Sequence, residues 1–212
     1  MNIQLKHIIP DALNESLSPY GEIWGRDIQV SSGEFIHVLA PSGAGKSTLM
    51  GIMYGTRKDY EGDLLINNHK IHGAKSWSDF RTNELAIVFQ DLELLNDLTV
   101  LENIQLKNQL TNHFTEVEIF KMLVGLSLDK CKNKRVGLLS RGEKQRVAII
   151  RSLCMPFSWL FLDEPFSALD DENTQKALSV IKEQVNSNKS GVIMANLHKD
   201  SWFNYSRTFK MA

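Results

Sequence analysis

The residues best suited to chemistry lie in a glycine-rich stretch whose sequence is APSGAGKST, at positions 40–48. It follows an apolar run, FIHVL at 35–39, and precedes LMGIMY at 49–54. The first run favours a buried strand and the second a helix. Small residues let the intervening backbone curl so that its N–H groups point at an anion, and the helix N-terminus adds partial positive charge. The stretch therefore predicts a site for the phosphates of a nucleoside triphosphate.

Two side chains of this loop have predicted roles. Lys46 is expected to reach the β- and γ-phosphates, and the Ser47 hydroxyl to ligate Mg²⁺. Ala40 stands where the usual G-x-x-x-x-G-K-[ST] pattern has its first glycine, which is tolerable only if that position does not need a positive φ. The alternative is an ordinary small-residue loop. The candidate phosphate-binding residues are Ser42, Gly43, Ala44, Gly45, Lys46, Ser47 and Thr48.

An acidic pair follows another apolar run. WLFL at 159–162 leads into Asp163 and Glu164. A carboxylate at the C-terminal end of a parallel strand lies where α/β sheets bind ligands. Asp163 is expected to hold Mg²⁺, directly or through water, and Glu164 to polarise the water that attacks the γ-phosphate. Acidic turns after strands are common, so this prediction depends on the phosphate loop as well.

Composition limits the class of protein. The chain has 212 residues, 42% hydrophobic and 23% charged, which is typical of an ordinary soluble protein. The net charge of −1, with acids and bases interspersed, gives no sign of a nucleic-acid-binding tail or a polybasic membrane anchor. Cys131 and Cys154 lack metal-ligand spacing, which favours reduced thiols in the cytosol. No apolar run approaches the ~18 residues of a membrane span, and no signal-peptide core is recognisable.

Strand and helix patterns alternate along the chain. Strands are predicted at 1–9 (an edge strand ended by Pro10), within 21–30, and at 35–39, 64–66, 70–71, 85–89, 158–163, 191–195 and 207–211, with turns at 31–34 and 59–63 and a hairpin at 67–68. Helices are predicted after the phosphate loop and at 100–110, 115–125, 141–154 and 171–185, with Thr99, Thr115 and Ser140 as caps. This alternation predicts a largely parallel α/β sheet, interrupted by a helical insert from 92 to about 152.

The stretch LSRGEKQRVAIIRSL at 139–153 resembles the signature of the ATP-binding cassette (ABC) ATPases, L-S-G-G-Q/E followed by a helix such as QRVAIARAL. Ser140 and the N–H groups after it would form a second anion site at a helix N-terminus. In that family the signature caps the γ-phosphate held by the other subunit, which implies contacts from Ser140, Gly142 and Glu143. Arg141 replaces the first signature glycine, so its side chain must point away from the phosphate or contribute charge. A plain capping box between Ser140 and Glu143 is the alternative.

Further landmarks of the family occur in order. Gln90 resembles the glutamine that touches Mg²⁺ and the attacking water, and SALD at 167–170 resembles the loop that communicates between two ATP sites. His198 resembles the switch histidine that contacts the γ-phosphate, although Lys199 intervenes before Asp200 where the family usually has His-Asp. The alternatives are a surface glutamine, a helix N-cap and a structural histidine.

The adenine-stacking aromatic is assigned to Tyr20 or Trp24, with core packing as the alternative for at least one of them. The resemblance covers about 4–211. The stretch at 89–103, FQDLELLNDLTVLEN, looks most like the branch that serves lipoprotein release, macrolide efflux and cell division.

The resemblance implies an α/β P-loop NTPase of the ABC type, with a largely parallel core sheet, an antiparallel β region and an α-helical insert. It implies one domain over 1–212, in which 1–90 and 153–212 form the RecA-like core with the β region and 91–152 form the insert. The cofactors would be ATP and Mg²⁺. The implied catalytic residues are Glu164, His198 and Gln90, and the implied metal ligands are Ser47, Gln90 and Asp163.

The implied function is ATP-driven closure of a dimer, with ATP at the interface between two copies or between this chain and a paired ATPase. The closing stroke would drive a separate integral-membrane permease gripped through the insert, at the cytoplasmic face of the inner membrane. Nucleic acid is not an expected partner. The first alternative is an ABC ATPase without transport, in cell-division signalling, cluster assembly or DNA maintenance. The second is a nucleotide-binding module with little turnover, supported by Ala40 and Arg141.

Overall fold

The computed structural model describes residues 1–13, 21–71 and 73–211. The strands are β1 Asn2–Pro10, β2 Asp27–Ser31, β3 Phe35–Leu39, β4 Tyr60–Ile66, β5 His69–Lys70, β6 Leu85–Val88, β7 Trp159–Asp163, β8 Gly191–Asn196 and β9 Arg207–Lys210. The helices are α1 Lys46–Met53, α2 Gly73–Asn83, α3 Val100–Asn108, α4 Glu116–Gly125, α5 Arg141–Leu153 and α6 Asp171–Asn188, with short 3-10 turns at Asp11–Leu13, Asp129–Cys131 and Val136–Leu138.

The core is a five-stranded sheet in the order β6-β7-β8-β3-β9, and its neighbouring strands run parallel. All residues of β6, β7 and β8 are buried, as expected of strands covered on both faces. The carboxyl ends of β3, β7 and β8 therefore meet at one edge of the sheet. The segments that follow these three strands carry the phosphate loop, Glu164 and His198. The predicted α/β fold is confirmed, and this edge is where such sheets bind ligands.

The second sheet is antiparallel, in the order β2-β1-β4-β5. The prediction that β1 is an edge strand is wrong, because β1 pairs with β2 on one side and β4 on the other. The turn predicted at 59–63 is also wrong, since β4 begins at Tyr60 and follows β1 through a register shift. Gly62 makes this approach possible: a Cβ there would lie 2.5 Å from the carbonyl oxygen of His7. Hydrogen-bonding partners so distant in sequence leave no local signal.

Capping boxes start three helices where the sequence predicts them. Thr99, Thr115 and Ser140 each accept a hydrogen bond from the N–H three residues on, and a glutamate carboxylate at that position accepts one in return. The predicted N-termini of α3, α4 and α5 are therefore confirmed. Helix α2 was not predicted, because Trp77 is its only buried residue among those described and one anchor makes no periodic pattern.

Two hydrophobic clusters lie on opposite faces of the core sheet. Along β7, Leu160 and Leu162 belong to the cluster shared with α3–α6, whereas Trp159 and Phe161 belong to the cluster shared with α1 and the antiparallel sheet. The alternation follows from the period of two in a strand. Within the described ranges, no helix is long and apolar enough to cross a membrane. The sheet is thus held from both sides, which gives its carboxyl edge a rigid base.

Candidate nucleotide site

The phosphate loop joins β3 to α1 in the conformation expected of an anion cradle. Gly43 and Gly45 have φ of +82° and +93°, in the left-handed region that favours glycine. Ala40 is buried and is not among the residues with positive φ, so alanine fits where the family pattern has glycine. Gly45 caps α1 without a side-chain hydrogen bond, which leaves the first N–H groups of the helix for another acceptor.

Lys46 bridges the phosphate loop and the acidic turn after β7. Its Nζ donates to the carbonyl oxygens of Ala40 at 3.2 Å and Pro41 at 3.1 Å, and lies 3.2 Å from Oε1 of Glu164. The lysine is only 6% exposed, so these oxygens compensate for its lost hydration. The fold thus brings the candidate phosphate-binding cation into contact with the candidate catalytic carboxylate.

Three oxygen-bearing side chains converge beside this pair. The Ser47 hydroxyl donates to Oε1 of Gln90 at 3.0 Å. Asp163 is 2% exposed, and its buried Oδ1 has no hydrogen-bond partner. Burial raises the pKa of Asp163, and the polar Ser47 hydroxyl nearby opposes this shift. An unpaired buried carboxylate oxygen costs free energy unless a cation or donor reaches it.

This arrangement fits Mg²⁺. The ion prefers hard oxygen ligands and is usually held by one or two carboxylates together with substrate phosphates. The described residues contain no cluster of three or more His, Cys, Asp or Glu side chains of the kind that cages a metal by itself. Ser47, Gln90 and Asp163 are the side chains that would hold the ion.

Glu164 occupies a strained turn. Its φ of +47° is uncommon for a residue with a Cβ, and such conformations concentrate at functional sites. Its N–H donates to the carbonyl oxygen of Ala195 in β8 at 3.0 Å, which anchors the turn to the sheet. His198 is exposed and lines the same pocket as Glu164, together with Ser167. Two of the three predicted catalytic residues, Glu164 and His198, therefore line one cavity.

The signature-like residues form a capped helix start. Ser140 N–H donates to Glu143 Oε2 at 2.7 Å, and Glu143 N–H donates to Ser140 Oγ at 3.2 Å. Hydrogen bonding to Ser140 holds the pKa of Glu143 below its ordinary value. Gly142 allows close packing, because a Cβ there would lie 2.9 Å from the carbonyl oxygen of Ala168. Arg141 is exposed. Across the described ranges, no hydrogen bond joins these residues to the phosphate loop.

Gln145 of α5 connects that helix to the turn of Glu164, a role that the sequence motifs do not predict. It is 3% exposed; its Nε2 donates to the carbonyl oxygen of Glu164 at 3.1 Å, and its Oε1 accepts from the N–H of Ala168 at 2.9 Å. One side chain of α5 thus satisfies the backbone on both sides of the turn that carries Glu164. Its spacing from Ile149 places it on the buried face of the helix, which is the signal that identifies it.

Of the two candidate adenine-stacking residues, the structure describes Trp24. Tyr20 lies outside the described residues. Trp24 is half-buried and packs against the cluster around α1, and its indole N–H lies within hydrogen-bonding distance of the carbonyl oxygen of Ala44 at 3.3 Å. Trp24 therefore buttresses the phosphate loop, which agrees with the packing alternative.

Several known proteins are similar to this chain in sequence, and solved structures are similar to it in fold. A family model described as ABC transporter matches residues 25–167. The cell division ATP-binding protein FtsE of Bacillus subtilis is 33% identical over 180 residues, covering 83% of this chain and 78% of that protein. The phosphonates import ATP-binding protein PhnC of Fusobacterium nucleatum is 34% identical over 187 residues, covering 80% and 73%. The ABC transporter ATP-binding protein YxdL of B. subtilis is 34% identical, but the match covers only 62% of it.

Solved structures of similar fold lead to the same family as the sequence relatives. The dimeric structure of MJ0796, described as a bacterial ABC transporter cassette, has a TM-score of 0.77 and 26% identity, covering 92% of this chain and 88% of that one. The same cassette bound to ADP and Pi, in a post-hydrolysis state, has a TM-score of 0.76. The cell-division relative agrees with the branch predicted from residues 89–103. Sequence and fold lead to the same family: the chain belongs to the ABC transporter family, as an ATPase of the ATP-binding cassette type.

Proposed function

We propose that this chain is the ATP-binding and hydrolysing subunit of an ABC transport system and energises a separate membrane permease through closure of a dimer. The observation that carries the proposal is the contact between Lys46 Nζ and Glu164 Oε1, beside the unpaired oxygen of Asp163. It supports a complete hydrolytic site rather than a binding module. Ala40 no longer supports the low-turnover alternative, because its backbone does not need glycine.

The proposed chemistry divides among these side chains. The loop N–H groups and Lys46 bind the β- and γ-phosphates, and Mg²⁺ on Ser47, Gln90 and Asp163 would neutralise charge that develops on the phosphates. As Lys46 turns to the phosphates, the Glu164 carboxylate becomes free to accept a proton from the attacking water. His198, which lines a pocket with Glu164, donates to the γ-phosphate.

The signature of each copy acts on the partner's nucleotide. Ser140, Gly142 and Glu143 have no hydrogen bond to the phosphate loop of their own chain in the described ranges, which supports a role in trans. The MJ0796 cassette, solved as a dimer, is similar to this chain over most of both lengths. Closure and reopening of such a dimer transmit force because the two states differ in their contacts with ATP.

The helical insert, residues 91–152, is the proposed docking surface for the membrane partner, at the cytoplasmic face. Seven of the eight exposed large apolar side chains of the described residues lie within it: Leu95, Leu106, Leu110, Val117, Phe120, Val124 and Leu138. In α4, Val117, Phe120 and Val124 share one face by their helical spacing. Exposed apolar groups concentrated in one region mark interaction sites.

The similarity to FtsE favours a second candidate, an ABC ATPase that signals in cell division rather than moving a substrate. Its hydrolytic chemistry would be the same. The two candidates differ in the response of the membrane partner to dimer closure: it moves a substrate in the first and transmits a signal in the second.

Glu164→Gln tests the proposal. The variant should bind ATP, hydrolyse it at least a hundredfold more slowly and accumulate as a closed dimer with Mg²⁺, measured by steady-state turnover and size-exclusion chromatography. Glu183→Gln, an exposed change on α6, is the matched control. Turnover near the wild-type rate in the Glu164→Gln variant would refute the assignment.

The same variant identifies the partner. Tagged protein is recovered from native membranes with ATP and Mg²⁺, and co-purifying proteins are identified. A stoichiometric polytopic membrane protein supports transport or force transmission across the membrane, and reconstitution with that protein then separates substrate movement from signalling. Soluble partners alone, or DNA, would favour an ABC ATPase without transport.

A further inference from the structure

The loop that carries His198 is short and pinned at both ends. Asn196, the last residue of β8, is buried, whereas Leu197, His198 and Lys199 are exposed. The next residue, Asp200, is buried again, with a side chain that is 7% exposed. Asn196 Nδ2 donates to Asp200 Oδ2 at 2.7 Å, so one hydrogen bond closes the base of a three-residue tip.

Asp200 accepts the hydrogen bonds that close the base of the tip. Its Oδ1 accepts from the Tyr205 hydroxyl at 2.6 Å and from the Trp202 N–H at 3.1 Å, and its Oδ2 accepts from Asn196. Oδ2 also lies 3.2 Å from the buried Nε2 of His37, in a close polar contact whose direction does not suit a hydrogen bond. Burial raises the pKa of Asp200, but these polar contacts together hold it below its ordinary value. Asp200 is therefore an anion near neutral pH, and charge-assisted hydrogen bonds are the stronger kind.

The contacts of Asp200 reach the strand that leads into the phosphate loop. His37 is a buried residue of β3, three positions before Ala40, and its ring stacks on Tyr205 with centroids 4.6 Å apart. The Ala40 N–H donates to the carbonyl oxygen of Asn196 at 3.1 Å. The two ends of the His198 tip are thus tied to the same stretch of β3, one through Asn196 and one through Asp200.

Aromatic packing holds the rest of the segment. Trp202 packs edge-on against Phe166 at 4.7 Å, and Phe203 stacks on Phe35 at 5.6 Å. Phe166 lies two residues after Glu164. The segment after Asp200 is therefore fixed against both β3 and the turn of the candidate catalytic glutamate, whereas the tip at 197–199 is exposed.

We propose that Asp200 is a positioning residue, which sets where His198 lies relative to the phosphate loop by joining Asn196, Tyr205 and His37 beneath the tip. The proposal rests on the proposed contact of His198 with the γ-phosphate. Asp200 itself touches neither nucleotide nor water in this role. Its removal should displace His198 and lower turnover, with little effect on ATP affinity, which depends on the phosphate loop.

Asp200→Asn tests the closure with the smallest change. The amide oxygen still accepts from Tyr205 and Trp202, but its NH₂ replaces the acceptor that faces Asn196, so two donors oppose each other. We expect kcat to fall about tenfold, with KM for ATP within about twofold of wild type. Hydrogen exchange should increase in 196–205. Asp79→Asn, exposed on α2, is the matched control.

Exchanging the pair tests whether the hydrogen bond itself matters. Asn196→Asp alone places two carboxylates together and should also lower kcat. Combined with Asp200→Asn, it restores one donor and one acceptor, and His37 can present an acceptor to the new amide in its other tautomer. Recovery of most of the lost kcat in the double variant is the expected result. If the hydrogen bond had only a structural role, the double variant would recover the melting temperature of the wild type but not its kcat.

A double-mutant cycle with His198 tests the route of the effect. If Asp200 acts through His198, Asp200→Asn combined with His198→Ala should be no slower than His198→Ala alone. Additive losses, or wild-type turnover in Asp200→Asn, would overturn the positioning role and leave the ATPase proposal intact. Wild-type turnover in His198→Ala would instead overturn the proposed role of His198, and the positioning role with it.

Tyr205→Phe covers the case in which Asp200→Asn does not fold. It removes one hydroxyl and keeps the ring stack on His37, so the fold should be retained. We expect a two- to threefold fall in kcat, again absent when His198 is already alanine. Unchanged kcat in a folded Tyr205→Phe protein with faster exchange at 196–205 would show that the tip position does not matter, and would overturn the proposal.

Discussion

The phosphate loop and the segment 196–205 both lie beside Glu164 but are held by different contacts. In the loop, Gly43 and Gly45 supply the backbone conformation, and Lys46 donates to carbonyl oxygens only five and six residues back. The segment combines local hydrogen bonds to Asp200 with contacts remote in sequence, such as the approach of Asp200 to His37 in β3 and the stacking of Phe203 on Phe35. A locally built loop has few parts, so one substitution should remove its function. A segment held by several separate contacts, local and distant, should lose function by degrees.

The largest effect should come from the locally built loop. Lys46→Met removes the cation and keeps the apolar stem, so the fold should persist while ATP hydrolysis, as kcat/KM, falls about a thousandfold. Nucleotide affinity should fall with it, measured by fluorescence titration. Lys6→Met, an exposed change on β1, is the control. Hydrolysis within tenfold of wild type would contradict the importance of Lys46 and the contrast drawn between the two regions.

An intermediate effect should come from Gln145, which bridges α5 to the turn of Glu164. Gln145→Leu leaves the Ala168 N–H unpaired and removes one of the two donors to the Glu164 carbonyl, which also accepts from the Ser167 N–H. The loss costs about 1–3 kcal/mol of stability. Displacement of the turn should also lower kcat about tenfold, with nucleotide affinity retained. Stopped-flow binding measures the nucleotide affinity, and steady-state turnover measures kcat, so the two effects are separated. The exposed change Gln175→Leu on α6 controls for the substitution itself; equal kcat in both variants would mean that the bridge is structural only.

The smallest effect should come from a local contact remote from the site. Thr115→Ala removes half of the capping box of α4, at about 1 kcal/mol, or a fall in melting temperature of about 2–4 °C. ATP turnover by the isolated chain should not change. Hydrogen bonds from Thr115 lower the pKa of Glu118, so the carboxylate's share of the box is present above its unfolded pKa and is lost as pH falls through the lowered value. The destabilisation by Thr115→Ala should accordingly shrink in acid. A change in turnover would show that α4 communicates with the site.

The elements that were predicted correctly are those with local chemistry. The boxes at Thr99, Thr115 and Ser140 complete their hydrogen bonds within three residues, so sequence spacing alone reveals them. The hairpin at Asn67 and Asn68 is similarly local, since both residues adopt the positive φ that asparagine tolerates. The family resemblance correctly identified an ABC-type ATPase.

The errors and omissions involve partners far apart in the chain. β1 was expected at an edge, yet β4 pairs along its second side through Gly62. Helix α2 and the bridging role of Gln145 were missed because each depends on one buried side chain, whose partner cannot be identified from spacing. The assigned ligands of ATP and Mg²⁺ stay predictions for the experiments above.

By itself, the sequence determined the chemistry available to this protein. The small residues of the phosphate loop, the acidic pair after β7 and the signature-like helix start are local patterns, and local patterns act through contacts that close within a few residues. Only the tertiary structure decided how those groups are held together. It joined Lys46 to Glu164, left an oxygen of Asp163 unpaired beside Ser47, and anchored the His198 tip on Asp200 and His37. The physical reason is that a buried charge or polar group must find its partner in space, and the order of strands in the sheet chooses that partner.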